Sequence, residues 1–357
     1  MSTVRIDPAE SRPILVVPYM WIGDFVRCHS VVQLLKSRWP ERPVDMLATT
    51  LCAPLIDYMP GVRRAILWDL PRKRLAFGQH AALADRLRPQ GYGTALIMPR
   101  TWKSALAPYL ARIPQRVGFL GEARLGLLSE IRFGERALPR MIERCASLAL
   151  PRGADFPAQW PPPRLEVAPT EVRDFTHRHG LDQDGDAIAL APGAVGPSKR
   201  WPVASYANLA GDLIRRGYRV WVVGGPDEAS LAAEIARDAG SRVRDLTGPD
   251  LRHAILALAA AKAAVSNDSG LLHVAAALGT PAIGIFGPTS PWHWAPLNPL
   301  AATIETATQL TCRPCHKPTC RPGHHRCMHE IGHALVCEAA LRAVSPSAST
   351  PGSHVSV

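Results

Sequence analysis

The feature that most constrains this chain is a rhythm: short apolar runs that meet a turn and then open into helical patterns. ILVVP (14–18) is followed by a Gly-Asp turn and the helical stretch FVRCHSVVQLLKSRW. Strand-like runs recur at VDMLAT (44–49) and TALIM (94–98), with helical stretches between. A short apolar run such as ILVVP suits a buried parallel strand. Strands alternating with helices make βαβ units and a parallel sheet.

The rhythm stops at FPAQWPPPRLEVAPTE (156–171), where five prolines forbid a continuous helix and favour extended chain. It then restarts. AIALAPG (187–193), RVWVVGG (219–225), AAVSNDSG (263–270) and AIGIFGP (282–288) each read as a strand ending in a glycine-bearing turn. Helices are predicted from Pro202, from Asp227 and around Ile255 to Lys262. A chain of 357 residues has the length of about two domains. The expected organisation is an α/β protein of two doubly wound, Rossmann-like halves facing a cleft. The first spans 1–160, a Pro-rich linker and lead-in 161–184, and the second 185–343 with a Cys/His-rich tail. A disordered end covers 344–357.

Composition narrows the function. Hydrophobic residues at 47% and charged residues at 20% exclude a disordered chain. No apolar run approaches the ~20 residues of a membrane-spanning helix. The start, MSTVRIDPAESRP, has no apolar core of a secretory signal, so a cytoplasmic protein is expected. A formal net charge of +11 favours anionic partners. Aromatic residues at only 6%, with basic residues dispersed as in PRKR (71–74), argue against a stacked nucleic-acid platform.

Three segments carry chemistry. In SNDSGLLHVAAALGTP (266–281), Asp268 or Ser269 can cap a helix that starts where a strand ends. Gly270 leaves room for a ligand, and the first helical N–H groups favour an anion. GAVGPSKRWP (193–202) also follows a strand and holds Lys199 and Arg200 just before a helix; it does not fit a Walker A loop. Two anion sites after two strands of one domain suggest a diphosphate, with Lys199 as point charge and backbone amides, including those near Gly193 and Ala194, supplying the rest. In PYMWIGD (18–24), Asp24 stands at the carboxyl end of the first strand, either as an ordinary helix cap or as a general base.

The tail poses a different question. HEIGH (329–333) matches H-E-x-x-H, the spacing of zinc peptidases. A catalytic zinc needs a third ligand. After His333 the next carboxylate is Glu338, too close along a helix to converge, and His354 lies in the terminal stretch. HEIGH is therefore expected to arise by chance at a helix start. Cys28, Cys52 and Cys145 read as buried thiols, whereas Cys312, Cys315, Cys320, Cys327 and Cys337 crowd together. The spacing of the first four allows a structural zinc; the plain reading is reduced thiols in a loop near the acceptor cleft.

The stretches WIGD (21–24), KSAL (103–106), RVGFLGEARLGLL (116–128), PGAVGPSKRWP (192–202), NDSGLLHVAAALGTP (267–281) and FGPTSP (286–291) resemble, in this order, the ADP-heptose:lipopolysaccharide heptosyltransferases of glycosyltransferase family 9. The heptosyltransferase II branch is the most similar. The resemblance runs over roughly residues 14 to 340. It implies a GT-B fold with the active site in the cleft, and inverting transfer of L-glycero-D-manno-heptose from ADP-heptose to the lipid A–Kdo/heptose inner core of lipopolysaccharide.

By motif it makes Asp24 the catalytic base and Lys199 the diphosphate ligand. Asp268, Ser269 and Gly270 line the donor site, Glu228 contacts the ribose, His273 touches the donor, and Lys103 and Arg116 face the acidic acceptor. No metal is required for such catalysis. The implied place of work is the cytoplasmic face of the inner membrane, beside anionic lipid. The alternatives are a relative using another nucleotide-sugar donor or heptose position, an inert sugar-nucleotide-binding protein, and a zinc-dependent hydrolase or zinc-stabilised binding protein.

Overall fold

The computed structural model describes residues 11–69, 76–183 and 185–345. PRKR (71–74) and the terminal stretch beyond Ser345, expected to be disordered, lie outside the described residues. The chain divides into two compact units, Met1–Pro163 and Arg164–Val357.

Among the described residues, the first unit contains a six-stranded parallel sheet. Its strands are β1 (Ile14–Val17), β2 (Val44–Ala48), β3 (Arg64–Leu67), β4 (Thr94–Ile97), β5 (Gln115–Phe119) and β6 (Glu130–Arg132). Their spatial order is β3-β2-β1-β4-β5-β6. The second unit repeats the plan with β7 (Ala187–Ala191), β8 (Arg219–Gly224), β9 (Val243–Thr247), β10 (Ala263–Asn267), β11 (Ala282–Ile285) and β12 (Ala301–Ile304), ordered β12-β11-β10-β7-β8-β9. All the pairings are parallel, as the helical crossovers require.

Each order reverses once, between β1 and β4 in the first sheet and between β7 and β10 in the second. At such a reversal the crossover helices leave to opposite faces, opening a crevice at the carboxyl ends of the two central strands. The central strands are buried along their length, including Ile14–Val17, Ala187–Ala191 and Ala263–Asn267.

Local boundaries shift where turn chemistry competes with helix. The single helix expected after the Gly-Asp turn is two, Ile22–Arg27 and His29–Arg38. The Cys28 amide is shared between the carbonyls of Asp24 and Phe25, both at 3.1 Å, which tightens that turn and ends the first helix. Pro202 caps the helix Val203–Arg215 rather than opening it, and Asp227 lies in a short 3₁₀ turn, Pro226–Glu228, ahead of the helix Ala229–Ala239. Within the segment expected to be a linker, a helix Pro169–Arg178 begins at the last of the five prolines, whose fixed φ suits a first helical turn.

The Cys-rich tail belongs to the second unit. Cys327, Met328, Ile331, Val336, Cys337 and Ala340 are buried in the same core as Ile188, Leu190, Val222 and Ile283. Cys327 and Cys337 are thus small apolar groups packed under the sheet. Cys28, Cys52 and Cys145 are buried thiols of the first unit. Among the described residues no helix is long and apolar enough to cross a membrane.

Candidate active site

The best-defined polar cluster lies at the β7/β10 reversal. The Lys199 ammonium donates to the Asp268 carboxylate at 2.7 Å, joining the loop after β7 to the turn after β10. Asp268 is 6% exposed, so the pair is held in place by surrounding chain. Asn267 fixes the same two loops. Its side-chain amide donates to the Pro192 carbonyl at 2.7 Å and its oxygen accepts from the Trp201 amide at 3.1 Å. The Trp201 indole in turn donates to the Ile331 carbonyl at 3.0 Å. NDSG and KRWP are therefore stitched into one structure by the asparagine between them.

The third loop arrives from β8. Glu228 accepts from the Gly225 amide at 2.8 Å. Its carboxylate lies against Gly193, where a Cβ would come within 2.6 Å of Oε1, so a larger residue there would displace the Glu228 side chain. Ala194 is buried, and its carbonyl accepts from Arg200 Nε at 3.1 Å. Thus Gly193, Ala194, Lys199, Glu228 and Asp268 come together at the carboxyl edge of one sheet.

The helix after β10, Gly270–Leu278, has Ser269 as its N-cap residue without a side-chain cap bond. The cap expected from Asp268 or Ser269 is not made, because each has another partner. Asp268 takes Lys199, and the Ser269 hydroxyl lies 3.0 Å from that of Ser266. The start of the helix keeps its amides for a ligand, next to the smallest of side chains at Gly270. His273, on the same helix, is buried.

In the first unit, Asp24 lies in the first turn of Ile22–Arg27, after β1. It accepts from Arg27 Nη1 at 2.6 Å, one helical turn on. Arg27 is 4% exposed, and the same nitrogen lies 3.7 Å from the Met141 sulfur. Asp24 itself keeps about a quarter of its side-chain surface open. Lys103, in the helix Trp102–Leu110, follows β4. Asp24 and Lys103 thus flank the β1/β4 reversal.

Arg116 does not join them. It is the second residue of β5, near that strand's amino end, and its guanidinium donates to the carbonyls of Leu127 (2.7 Å), Ile113 (2.5 Å) and Pro114 (3.3 Å). These contacts, to carbonyls of its own unit, are what the structure gives the residue expected to face the acceptor. At the carboxyl end of β5 the arginine of the same motif is Arg124, fully buried, which donates to the carbonyls of Pro99 (2.7 Å) and Phe119 (3.1 Å from Nε). It ties together the loops after β4 and β5. Gly121 closes this corner, since a Cβ there would meet the Arg100 carbonyl at 2.0 Å.

HEIGH is split. The helix Arg326–His329 ends, and a second, His333–Val344, begins after Gly332. His329 stacks on His325, Glu330 pairs with Arg326 at 2.5 Å, and His333 Nε2 faces Asp212 at 3.5 Å. The two histidines share no helix face, so the zinc-peptidase geometry is not formed. Among the described residues no three His, Cys, Asp or Glu side chains are grouped to hold a metal ion. In the tail, Cys312 Sγ lies 3.9 Å from His324 Nε2. The tail loop crosses the Lys199 loop of its own unit, with the Ser198 amide donating to Pro318 O at 3.2 Å and its hydroxyl to Lys317 O at 2.5 Å.

A cation, a carboxylate and a helix start without a side-chain cap stand together at one switch point, where open α/β sheets bind their ligands. The family model for glycosyltransferase family 9 (heptosyltransferase) matches residues 80–325. The chain belongs to glycosyltransferase family 9. It is 36% identical over 337 residues to lipopolysaccharide heptosyltransferase 2 of Salmonella typhimurium, covering 91% of this chain and 96% of that one. It is equally identical over 307 residues to lipooligosaccharide heptosyltransferase 2 of Haemophilus influenzae, covering 82% and 88%. The solved structure of E. coli ADP-heptose lipopolysaccharide heptosyltransferase II superposes with a TM-score of 0.81 at 34% identity, covering 93% of this chain and 98% of that one. This family-9 chain is a glycosyltransferase of the GT-B fold.

Proposed function

We propose that the protein transfers L-glycero-D-manno-heptose from ADP-heptose to the inner core of lipopolysaccharide, with inversion at the anomeric carbon. The observation that carries the reading is the Lys199–Asp268 pair at the β7/β10 reversal, bordered by Glu228 and the start of the Gly270–Leu278 helix. A diphosphate docked there meets Lys199 and the amides of Ser269 and Gly270, while Glu228 serves the ribose hydroxyls.

The reaction makes one bond and breaks one. An acceptor hydroxyl attacks the anomeric carbon, its proton passes to Asp24, and the bond from that carbon to the diphosphate oxygen breaks, releasing ADP. Asp24 is held by Arg27 and keeps about a quarter of its side-chain surface exposed, so an acceptor hydroxyl can reach it. Charge growing on ADP falls on Lys199 and the helix start, fixed dipoles that need no reorganisation. The proposed chemistry draws on no divalent metal. No step of this mechanism is assigned to the tail thiols. Lys103 faces the acidic acceptor in this reading. The excess of basic residues, +11 overall, supports work beside anionic lipid at the cytoplasmic face of the inner membrane and asks for no nucleic-acid partner.

The test is turnover of purified protein with ADP-heptose, offered with lipopolysaccharide acceptors truncated at successive inner-core positions. One acceptor should gain a single heptose, with anomeric configuration opposite to the donor's by NMR. Transfer from a different nucleotide sugar in preference to ADP-heptose would replace this reading with that of a relative using another donor.

A further inference from the structure

The Cys-rich tail is fastened across the carboxyl edge of the second sheet at three places. Arg313 Nε donates to the Gly287 carbonyl at 2.6 Å, and its guanidinium pairs with Glu305. The His316 amide donates to the Pro288 carbonyl at 2.9 Å. Ser198 bonds the carbonyls of Lys317 and Pro318, and the α-carbon of Pro318 approaches to 3.3 Å of where a Cβ on Gly196 would sit. The segment thus spans from the loop after β11 to the loop after β7, passing the β10 turn that bears Asp268.

These fastenings put His316 between the two loops. It takes the left-handed conformation, φ 52°, that side chains rarely adopt, and its side chain is exposed. Its ring centroid is 6.4 Å from that of His293. Loss of water lowers the ring's basicity, and the nearby His293 and Lys199 lower it further against the pull of Asp268, which places all three within electrostatic reach. The loop it faces also holds unsatisfied polar atoms: the buried Thr289 hydroxyl and His293 Nδ1 have no hydrogen-bond partner among the described residues. Such atoms can take up a hydrogen bond from a ligand or from water.

We infer that His316 is a donor-site residue, brought by the tail to the diphosphate opposite Lys199, so that the tail loop forms a wall of that site. The inference rests on the donor reading above and adds to it a ligand from outside the motif loops. It also gives the tail a task that needs no metal: the loop is a carrier for an imidazole N–H donor.

The experiment is calorimetric titration of the full chain with ADP and with adenosine monophosphate, for wild type, His316→Ala, His316→Arg and Lys199→Ala. A charge-assisted contact to an exposed site should be worth about tenfold in affinity. His316→Ala should bind ADP about tenfold more weakly, yet bind the monophosphate within about twofold of wild type. His316→Arg, which again offers N–H donors, should recover most of the ADP affinity. Thermal unfolding checks that the variants fold, and the arginine variant tests the idea even if alanine unsettles the loop. Equal losses for both nucleotides, or no loss with ADP while Lys199→Ala loses it, would overturn the role of His316 alone. Wild type that binds no ADP, or Lys199→Ala that binds it unchanged, would overturn the donor reading beneath it.

Discussion

The two units hold the same device built in two ways. Each has a carboxylate paired with a cation at the crevice where strand order reverses. Asp24 pairs with Arg27 inside one helical turn of the first unit. Asp268 pairs with Lys199 across two loops whose residues lie far apart in sequence. The local pair needs only a helix after β1 to form. The long-range pair exists only once β7 and β10 are neighbours and Asn267 has locked their loops. The difference matches the tasks assigned to them. A base needs an open carboxylate in a fixed direction, and a helix start provides it. A diphosphate site needs several groups from separate loops, and a sheet edge collects them.

The comparison breaks most sharply at Asp24. Asp24→Asn keeps the volume and a hydrogen bond to Arg27 but cannot take the acceptor's proton. Transfer should fall by about 10³-fold, within the 10²–10⁴-fold range of a positioned base, as read by ADP release under saturating substrates. Lys199→Ala should cost about 10²-fold in kcat/KM for donor, raising KM and lowering kcat together because the charge it meets grows toward the transition state. A change confined to acceptor KM would move Lys199 to the other substrate.

Arg27→Gln sharpens the contrast by removing the partner and leaving the base. It should slow transfer about tenfold with donor KM unchanged, since Arg27 positions Asp24 and does not touch donor; thermal unfolding guards against a packing defect at this buried residue. The smallest effects belong to the HEIGH stretch. A strong chelator, His329→Ala and His333→Ala should each leave the transfer rate within about twofold, and metal analysis of the purified protein should find no stoichiometric zinc. Loss of activity on chelation, with circular dichroism unchanged, would return the HEIGH stretch to consideration.

What the sequence disclosed follows burial. β1, β2, β4, β7, β8, β10 and β11 are apolar runs because both faces are covered, and each is legible. Of the strands at the sheet edges, β3, β6 and β9 mix polar and apolar residues, and RAIL, EIR and VRDLT carry no comparable signal; β12, AATI, is as apolar as β4 but no helical pattern follows it directly. β5, QRVGF, hid for the same reason at its polar start. Site residues placed just after a legible strand, such as Asp24, Gly193, Lys199 and Asp268, could be read because strand direction fixes the edge they reach.

Arg116 lies near the amino end of its strand, a placement that a motif match does not specify. Arg27 was within reach, three residues after Asp24 on a helical pattern. Asn267 as a stitch, and the tail lying over Ser198, depend on contacts between distant parts of the chain that no local pattern encodes.

The account turns on a division of labour, donor affinity in the second unit and proton removal in the first. Calorimetric binding of ADP-heptose to Asp24→Asn and Lys199→Ala, without acceptor, tests it most directly. Asp24→Asn should bind as wild type does, and Lys199→Ala about tenfold or more weakly. Weak binding by Asp24→Asn together with wild-type binding by Lys199→Ala would contradict the division.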